Sequence, residues 1–380
     1  MQGFGDRVPK VLAPTKVLVI MEILSVSLKN FRNLNQTNIE LHPGINILHG
    51  DNGQGKTNFL ESLYFCGTGR SHRTNNEKDL INFESSEAYI QLTFDNGGIK
   101  DKISVYLKKD SRKAIAINGM PVRKLGDLLG QLIIVMFSPQ DLNLVKEGPS
   151  ERRKFMDMEI CQLSGIYYHE LNNYYRVLKQ RNNLLKNAAK NKSLLDTVSV
   201  WNEQLVTHGT KVYEFRKKFS EELNEISSEI YAGISDNKEK LKLQYKPNIL
   251  PENFLDKLER NLERDMILGS TSSGIHKDDI FITINDYDIR LFGSQGQQRT
   301  ASLSMKLAEI NIIKKLNDKV PVLLLDDVLS ELDEKRQRYL LSYISHIQTV
   351  VTCTGVEDVV KKIDNSNVKT FKVSGGNIYS

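Results

Sequence analysis

The residues with the clearest chemistry lie near the N-terminus in a glycine-rich stretch. The motif G-x-x-x-x-G-K-[ST] is matched by Gly50-Asp51-Asn52-Gly53-Gln54-Gly55-Lys56-Thr57. The stretch follows a short β-rich run, Ile45–His49, and precedes a predicted helix, Thr57–Tyr64, which is the context the motif requires. Glycines let backbone N–H groups close around a phosphate, and the start of the helix adds partial positive charge. Because Lys56 would neutralise the β- and γ-phosphates and the Thr57 hydroxyl would reach Mg²⁺, the stretch is predicted to bind a nucleoside triphosphate.

A pair of acids follows an apolar run much later in the chain. Val322–Leu325 reads as a buried strand, and Asp326 and Asp327 come directly after it. In α/β sheets ligands bind at the carboxyl ends of strands. Asp326 would hold Mg²⁺ through water, and Asp327 would orient or deprotonate the attacking water. Alone, the pair would be read as an acidic helix cap; beside the glycine-rich stretch, the functional interpretation is favoured.

The elements that must position these residues are predicted from both ends of the chain. Met21–Phe137 is mostly strand, and breaks such as Asp95–Gly98 and Asn118-Gly119 predict hairpins and an antiparallel sheet. After residue 275 the pattern alternates between strand and helix, which predicts parallel pairing. The expected elements there are the strands Ile280–Ile284 and Ile289–Phe292, the helix Gln297–Leu316, the strand Val320–Leu325, the helix Glu334–Ile344, and the strands Thr349–Cys353 and Lys369–Val373.

The middle of the chain is predicted to be helical. Ser150–Asn187 and Asp196–Gly233 read as long helices, with Ser150 and Asp196 as N-caps and Gly233 as a stop, and a third helix follows Pro251. We therefore predict one α/β domain from residues 21–148 and 275–380, with a helical insertion over residues 149–274. Residues 1–20 are expected to be an extension or the product of an upstream start codon, with the natural domain beginning at Met21.

Composition narrows the protein class without identifying it. The 380 residues carry a net charge of +5, with 39% hydrophobic and 26% charged residues, as in ordinary globular proteins. We do not expect an integral membrane protein, because no stretch of the sequence approaches the roughly 20 apolar residues that a membrane span needs. Three cysteines, Cys66, Cys161 and Cys353, lie far apart. They suit a reducing cytoplasm and form no local zinc motif.

Further motifs resemble the RecF family of ABC-type ATPases, bacterial recombination mediators. Gly293-Ser294-Gln295-Gly296-Gln297-Gln298-Arg299-Thr300 resembles the ABC signature in the form found in that family. The other matching motifs, in order, are Asn30-Phe31-Arg32-Asn33, Gly69-Arg70-Ser71-His72-Arg73-Thr74, Phe137-Ser138-Pro139-Gln140-Asp141-Leu142, Asp326-Asp327-Val328 and Ser330-Glu331-Leu332-Asp333. The resemblance runs from Met21 to the C-terminus.

The resemblance implies an ABC/SMC-type P-loop ATPase head with an antiparallel β subdomain and a helical insertion, using ATP and Mg²⁺. Ser294, Gly296 and Gln297 would act in trans on the nucleotide of a second subunit, so that ATP gates a homodimer. Gln140 would touch Mg²⁺ or the attacking water, and Ser330 and Asp333 would cross the dimer interface. The implied catalytic residues are Lys56, Asp327 and Gln140, and the implied metal site is Thr57, Asp326 and Gln140.

Three features of the sequence depart from the family pattern. Gln295 occupies the first glycine of the usual signature, and the place of a catalytic histidine falls in Thr352-Cys353-Thr354, which suggests slow hydrolysis. In Gly274-Ile275-His276-Lys277-Asp278-Asp279, Ile275 and Lys277 replace the usual Pro and Arg. Arg32 and Arg73 are left open between a phosphate role and a surface or DNA-facing role.

A basic stripe is the best candidate for DNA contact. Arg176, Lys179, Lys186 and Lys190 fall on one side of a predicted helix. The segment alone favours a solvated helix face, and only the family resemblance makes DNA contact an equal alternative. The resemblance implies a cytoplasmic protein that acts at single-strand gaps and stalled forks, helps load RecA with RecR and RecO, and supports the SOS response. The alternatives are a transporter's cytoplasmic ATPase, a P-loop kinase or a short SMC-like DNA protein. They fit the hairpins, the signature or the chain length less well.

Overall fold

The computed structural model describes residues 18–188, 191–355 and 367–380. Within them the strands form three sheets. One is a mostly antiparallel sheet in the order β12-β1-β4-β5-β6-β7, with β2 on β1; one is mostly parallel, in the order β16-β15-β3-β14-β13-β8; and a small antiparallel sheet has the order β11-β10-β9. Their bounds are β1 Val19–Phe31, β2 Leu34–Glu40, β3 Ile45–His49, β4 Glu87–Asn96, β5 Lys100–Lys108, β6 Ala114–Ile117, β7 Met120–Pro121, β8 Ile134–Phe137, β9 Leu241–Lys246, β10 Asp279–Ile284, β11 Tyr287–Asp288, β12 Lys319–Val320, β13 Val322–Asp326, β14 Thr349–Cys353, β15 Val368–Ser374 and β16 Asn377–Tyr379.

Helices flank the sheets and make up most of the insertion. Their bounds are α1 Lys56–Thr68, α2 Asn143–Lys146, α3 Pro149–Leu163, α4 Gly165–Ala188, α5 Val198–Ser235, α6 Phe254–Arg260, α7 Leu262–Leu268, α8 Ile289–Phe292, α9 Gln295–Asn317, α10 Val328–Glu331 and α11 Glu334–Ile344. The order of helices and strands is the α/β arrangement, with an antiparallel sheet and a helical insertion, that the family resemblance implied. No helix in the described ranges is long and apolar enough to span a membrane.

The parallel sheet brings the two candidate motifs to one edge. Strands β3, β14, β13 and β8 lie side by side and are almost wholly buried, as expected for parallel strands covered on both faces. The glycine-rich stretch follows β3, and Asp326 ends β13, so both lie at carboxyl ends. In the ladder Asp326 stands opposite Thr352 of β14.

The antiparallel sheet starts earlier than expected. Val19 and Ile20 belong to β1 and pair in parallel with Lys319 and Val320, so the strand begins two residues before Met21. Residues 1–17 lie outside the described residues. The hairpins were predicted correctly. Gly97 and Gly98 have φ of 68° and 91° between β4 and β5, where left-handed backbone favours glycine.

The helical insertion differs from its prediction at the helix ends. One helix was expected over Ser150–Asn187, but Ser164 is extended (φ −146°, ψ 111°) and separates α3 from α4. Helix α3 begins at Pro149, before Ser150, because proline suits the first helical turn. Helix α5 begins at Val198, after the expected cap Asp196, and continues through Gly233 to Ser235. The following Asp236 ends it in a left-handed conformation.

Two elements were misassigned or missed. Ile289–Phe292, expected as a strand, is the helical turn α8, since the Asp288 side chain caps it by accepting a hydrogen bond from the Arg290 N–H at 2.8 Å. A four-residue apolar run carries no periodicity that separates strand from helix. Strand β9, which was not predicted, lies inside the insertion and pairs with β10.

The segment Gly274–Asp279 joins the insertion to the head. Asp278 is fully buried and accepts hydrogen bonds from Arg216 Nη1 at 2.9 Å, the Tyr245 hydroxyl at 2.5 Å and the Asn248 N–H at 2.8 Å. Arg152 of α3 holds Asp279 through Nε and Nη2 at 2.6 and 3.0 Å. Helices α3 and α5 and strand β9 are thus tied to the start of β10. The segment Gly274–Asp279, which differs from the family pattern, therefore has a structural role.

Candidate functional site

The glycine-rich loop has a backbone that only glycine adopts easily. Gly50, Gly53 and Gly55 have φ of 148°, 79° and 119°. A Cβ on Gly50 would lie 2.3 Å from the Val373 carbonyl oxygen, and one on Gly55 would lie 2.8 Å from Leu34 Cδ2. The loop is braced from outside, because Asn33 Nδ2 donates to Gly53 O at 2.9 Å. Its shape is therefore fixed by the surrounding fold.

Lys56 lies inside this loop. Its side chain is buried, and Nζ donates to the carbonyl oxygens of Gly50 at 2.6 Å and Asp51 at 2.9 Å. Helix α1 begins at Lys56, so the positive end of the helix and the ammonium group share one place. This combination attracts a phosphate group.

The acid pair is joined to the loop through two hydroxyl groups. Asp326 Oδ1 accepts hydrogen bonds from Thr57 Oγ1 at 2.8 Å and from Thr352 Oγ1 at 2.9 Å. Thr352 Oγ1 also accepts from the Asp327 N–H at 2.9 Å. Asp327 itself has φ of 53°, a left-handed conformation that Asp and Asn tolerate better than most residues. Three side chains, from α1, β13 and β14, and the backbone N–H of Asp327 therefore form one constellation.

This donor set fits Mg²⁺. The ion prefers oxygen ligands and commonly takes one or two carboxylates, waters and substrate phosphates. The Thr57 hydroxyl and the Asp326 carboxylate supply oxygens at one point, and Asp326 Oδ2 has no hydrogen-bond partner in the described part of the chain. Thr352 was not predicted as a site residue. Only the pairing of β13 with β14 places it there.

Gln140 lies apart from this constellation. It is exposed in a short 3-10 turn, Pro139–Leu142, held by a capping box between Ser138 and Asp141. It lines a cleft of about 610 Å³ between the head and the insertion, together with His72 and Arg73. Across residues 18–188, 191–355 and 367–380, no hydrogen bond joins Gln140 to Thr57 or Asp326.

Arg32 and Arg73 are both directed at one buried carboxylate. Arg32 holds Glu61 through Nε at 2.9 Å and Nη2 at 2.8 Å, and Arg73 Nη1 lies 3.2 Å from Glu61 Oε2. Burial opposes ionisation of Glu61, but the hydrogen bonds from Arg32 and Ser71 and both arginine charges leave its pKa lowered. Glu61 was not singled out from the sequence, because its partners come from distant loops.

The signature-like residues form a second, separate place. Ser294 and Gln297 make a capping box at the start of α9: the Gln297 N–H donates to Ser294 Oγ at 3.2 Å, and the Ser294 N–H donates to Gln297 Oε1 at 2.8 Å. Ser294, Gly296, Gln297 and Asp333 line one pocket of about 300 Å³. None of residues 50–57 lines this pocket, and no hydrogen bond among the described residues joins the two motifs.

The basic stripe is on the surface of the insertion. Arg176, Lys179 and Lys186 of α4 are exposed, while Leu178 and Leu185 beside them are buried. Lys190 lies outside the described residues. The three described cations are thus available to a ligand.

Comparison with known proteins agrees with this arrangement. The chain matches the family described as RecF/RecN/SMC N terminal domain over residues 22–378. A curated relative, DNA replication and repair protein RecF of Lachnoclostridium phytofermentans, is 46% identical over 353 residues, covering 93% of this chain and 97% of the relative. The same-named protein of Clostridium perfringens is 44% identical, covering 94% and 99%.

The chain belongs to the RecF family. Two solved structures of the recombination mediator protein RecF in the RecFOR pathway, described as RecF-ATPrS and RecF-ATP, match with TM-scores of 0.89 and 0.88. Both are 32% identical; the first covers 96% of this chain and 99% of its own, and the second 97% and 99%. An Smc head domain from Pyrococcus furiosus matches at a TM-score of 0.54 and 18% identity, covering 94% of this chain and 95% of its own, and supports the fold alone.

Proposed function

We propose that this protein is an ATP-dependent DNA-binding recombination mediator in which ATP with Mg²⁺ gates a homodimer. The observation that carries the proposal is the constellation of Thr57, Asp326, Thr352 and Asp327 beside the loop that holds Lys56. It offers phosphate binding, metal ligands and an acid in one place. The related structure described as RecF-ATP supports the choice of nucleotide.

Each residue has a role in this proposal. Residues 50–57 bind the phosphates, with Lys56 as the point charge, and Thr57 and Asp326 hold Mg²⁺. The metal would neutralise charge on the β- and γ-phosphates when bound. Asp327 orients or deprotonates the attacking water. Gln140 would touch Mg²⁺ or the attacking water, and hydrolysis is slow because Thr352-Cys353-Thr354 holds no histidine where this ATPase class commonly has one.

The dimer follows from the separation of the two motifs. Ser294, Gly296, Gln297 and Asp333 line a pocket that shares no residue with the phosphate loop. In this proposal they complete the site of a second copy. The two residues of α8 just before this loop, Leu291 and Phe292, are 71% and 72% exposed. Large exposed apolar side chains at one place are typical of an interface.

The cellular role is proposed by resemblance and by the relatives' names. The protein would act in the cytoplasm at single-strand gaps or junctions, cooperate with RecR and RecO, help load RecA and support SOS induction. The first test is sedimentation with and without ATP and Mg²⁺, and with DNA added. A faster-sedimenting species that needs both ATP and Mg²⁺ and binds DNA supports the proposal. A sedimentation coefficient that is the same in all conditions contradicts it.

The DNA surface has its own test. The double variant Arg176→Ala/Lys179→Ala should weaken DNA binding. The fall of log K for DNA binding with log salt should become less steep by about 1 to 2, because binding releases fewer counterions when two phosphate contacts are lost. The matched control is Lys217→Ala/Lys218→Ala, which removes two exposed cations of the same insertion. If both double variants lose DNA affinity equally, the overall positive charge of the insertion is the cause, and the basic stripe on α4 is no longer part of the proposal.

A further inference from the structure

The side chain of Arg336 connects two loops that are distant in sequence. Its Nη2 donates to the Gly296 carbonyl oxygen at 2.9 Å, and its Nε donates to Thr300 Oγ1 at 2.8 Å. Nη1 pairs with the Asp333 carboxylate. One guanidinium group therefore holds the start of α9, which carries the signature-like residues, against the loop that follows the acid pair.

The contacts use the shape of the guanidinium group. Arginine presents five donors in a rigid planar fork, whereas lysine is a flexible point charge with three donors. Gly296 O also accepts from Thr300 Oγ1 at 2.8 Å, so Arg336 and Thr300 together fix this carbonyl. The Arg336 side chain is 18% exposed, and Asp333 is 54% exposed. The fork is thus shielded at the base of an open pocket.

The loop behind Arg336 is tied to the acid pair. Ser330 Oγ donates to Asp327 O at 2.7 Å. Arg299 of α9 donates through Nη1 to Glu331 O at 2.5 Å. Hydrogen bonds at Asp327 and Glu331 therefore hold this loop, and Arg336 adds an ion pair at Asp333.

We propose that Arg336 is a positioning residue for the trans-acting loop: it holds Ser294–Gln297 where a second copy of this chain needs them, without contacting the nucleotide of its own chain. The inference rests on the proposed function, since it requires an ATP-gated dimer. It also predicts which of the two nucleotide sites is affected. Loss of Arg336 in one subunit should damage the site whose phosphate loop belongs to the other subunit.

The first test compares Arg336→Gln with Arg338→Gln. Arg338 lies on the same helix, is 70% exposed and, in the described part of the chain, makes only a 3.5 Å pair with Glu334, so it controls for loss of charge from α11. Arg336→Gln should bind ATP as a monomer with unchanged affinity and should dimerise at least tenfold more weakly. Arg338→Gln should match the parent in both. Arg336→Lys should fall between them, because it keeps the charge and loses the fork. If the melting temperature of Arg336→Gln falls, the Lys variant carries the test.

Mixed dimers test which of the two sites is affected. When Lys56→Ala is in tenfold excess, each Arg336→Gln subunit pairs with a Lys56→Ala subunit. The one working site in that dimer combines the phosphate loop of the Arg336→Gln subunit with the signature loop of its partner, which has an intact Arg336. The ATPase rate of this site should equal that of the parent chain in the same excess. With the double variant Lys56→Ala/Arg336→Gln in excess, the parent chain meets a loop without Arg336, and its rate should fall at least tenfold.

The opposite pattern, or equal rates in both mixtures, overturns the inference. Weaker ATP binding by the Arg336→Gln monomer also overturns it. Ser294→Arg is measured alongside: if it dimerises like the parent, the proposed function itself fails. If Ser294→Arg stays monomeric while Arg336→Gln dimerises normally, only the role of Arg336 is lost.

Discussion

The two halves of the candidate ATP site differ in how far one chain completes them. The half around the phosphate loop is braced by Asn33 and linked through Thr57, Asp326 and Thr352 across neighbouring elements. The half around Ser294 opens onto a pocket whose lining includes none of residues 50–57. The first half is organised within one chain, and we propose that the second half acts on a nucleotide held by a second copy of the chain.

This difference separates binding from assembly. Changes in the first half should act on ATP affinity or hydrolysis in each chain. Changes in the second half should leave monomer binding alone and act on the dimer. A ligand shifts an equilibrium only by its different affinity for the two states, so ATP must bind the dimer more tightly than the monomer.

The largest expected effect is on hydrolysis, from Asp327→Asn. The variant should bind ATP normally and hydrolyse it about 10²- to 10⁴-fold more slowly, because it keeps the shape and removes the charge of a general base. Asparagine tolerates the left-handed φ of 53° at this position, so the backbone should not be strained. ATP turnover by the purified variant is the measurement, and a parental rate would remove Asp327 from the mechanism.

A smaller effect is expected on ATP affinity, from Lys56→Ala. The loss of a charge-assisted hydrogen bond is worth about 1.5–3 kcal/mol, so affinity should fall roughly 10- to 100-fold. Lys56→Arg keeps the charge but places a larger group in a buried position, and it should weaken binding less. Titration of a fluorescent ATP analogue measures both. Unchanged nucleotide affinity together with unchanged DNA binding in both variants would contradict the assignment of the loop.

The smallest effect is expected from Thr352→Val. It removes the hydroxyl that orders both acids, which should slow hydrolysis about tenfold or less, since one hydrogen bond contributes modestly. Thr352→Ser should restore the rate. Thr349→Val is the matched control, because Thr349 lies on the same strand and, among the described residues, its hydroxyl bonds only to Ile347 O, at 2.9 Å. Equal slowing in both valine variants would indicate general damage to β14.

The sequence predicted the fold class and the places of the two main motifs at strand ends, because their signals are contiguous. The phosphate loop is specified by eight consecutive residues, and the acid pair by the strand before it. Thr352 could not be found this way, since it reaches Asp326 only when β14 lies beside β13. Arg32 and Arg73 were left undecided because their shared partner, Glu61, is visible only in three dimensions.

Short or mixed patterns account for the errors in the fold. Ile289–Phe292 has too few residues to show a period, and a single capping aspartate decides its conformation. The dipeptide Ser164-Gly165 is a turn signal, and the prediction of one helix over Ser150–Asn187 passed over it. The boundaries of the insertion and the roles of the site residues remain predictions.

Static light scattering of the parent chain and of Ser294→Arg, each with and without saturating ATP and Mg²⁺, tests the central claim most directly. The parent should be a monomer without nucleotide and a dimer with it. Ser294→Arg should bind ATP but stay a monomer, because a bulky cation would occupy the interface. A parent that remains monomeric at saturating ATP, or a Ser294→Arg dimer equal to that of the parent, would contradict ATP-gated assembly.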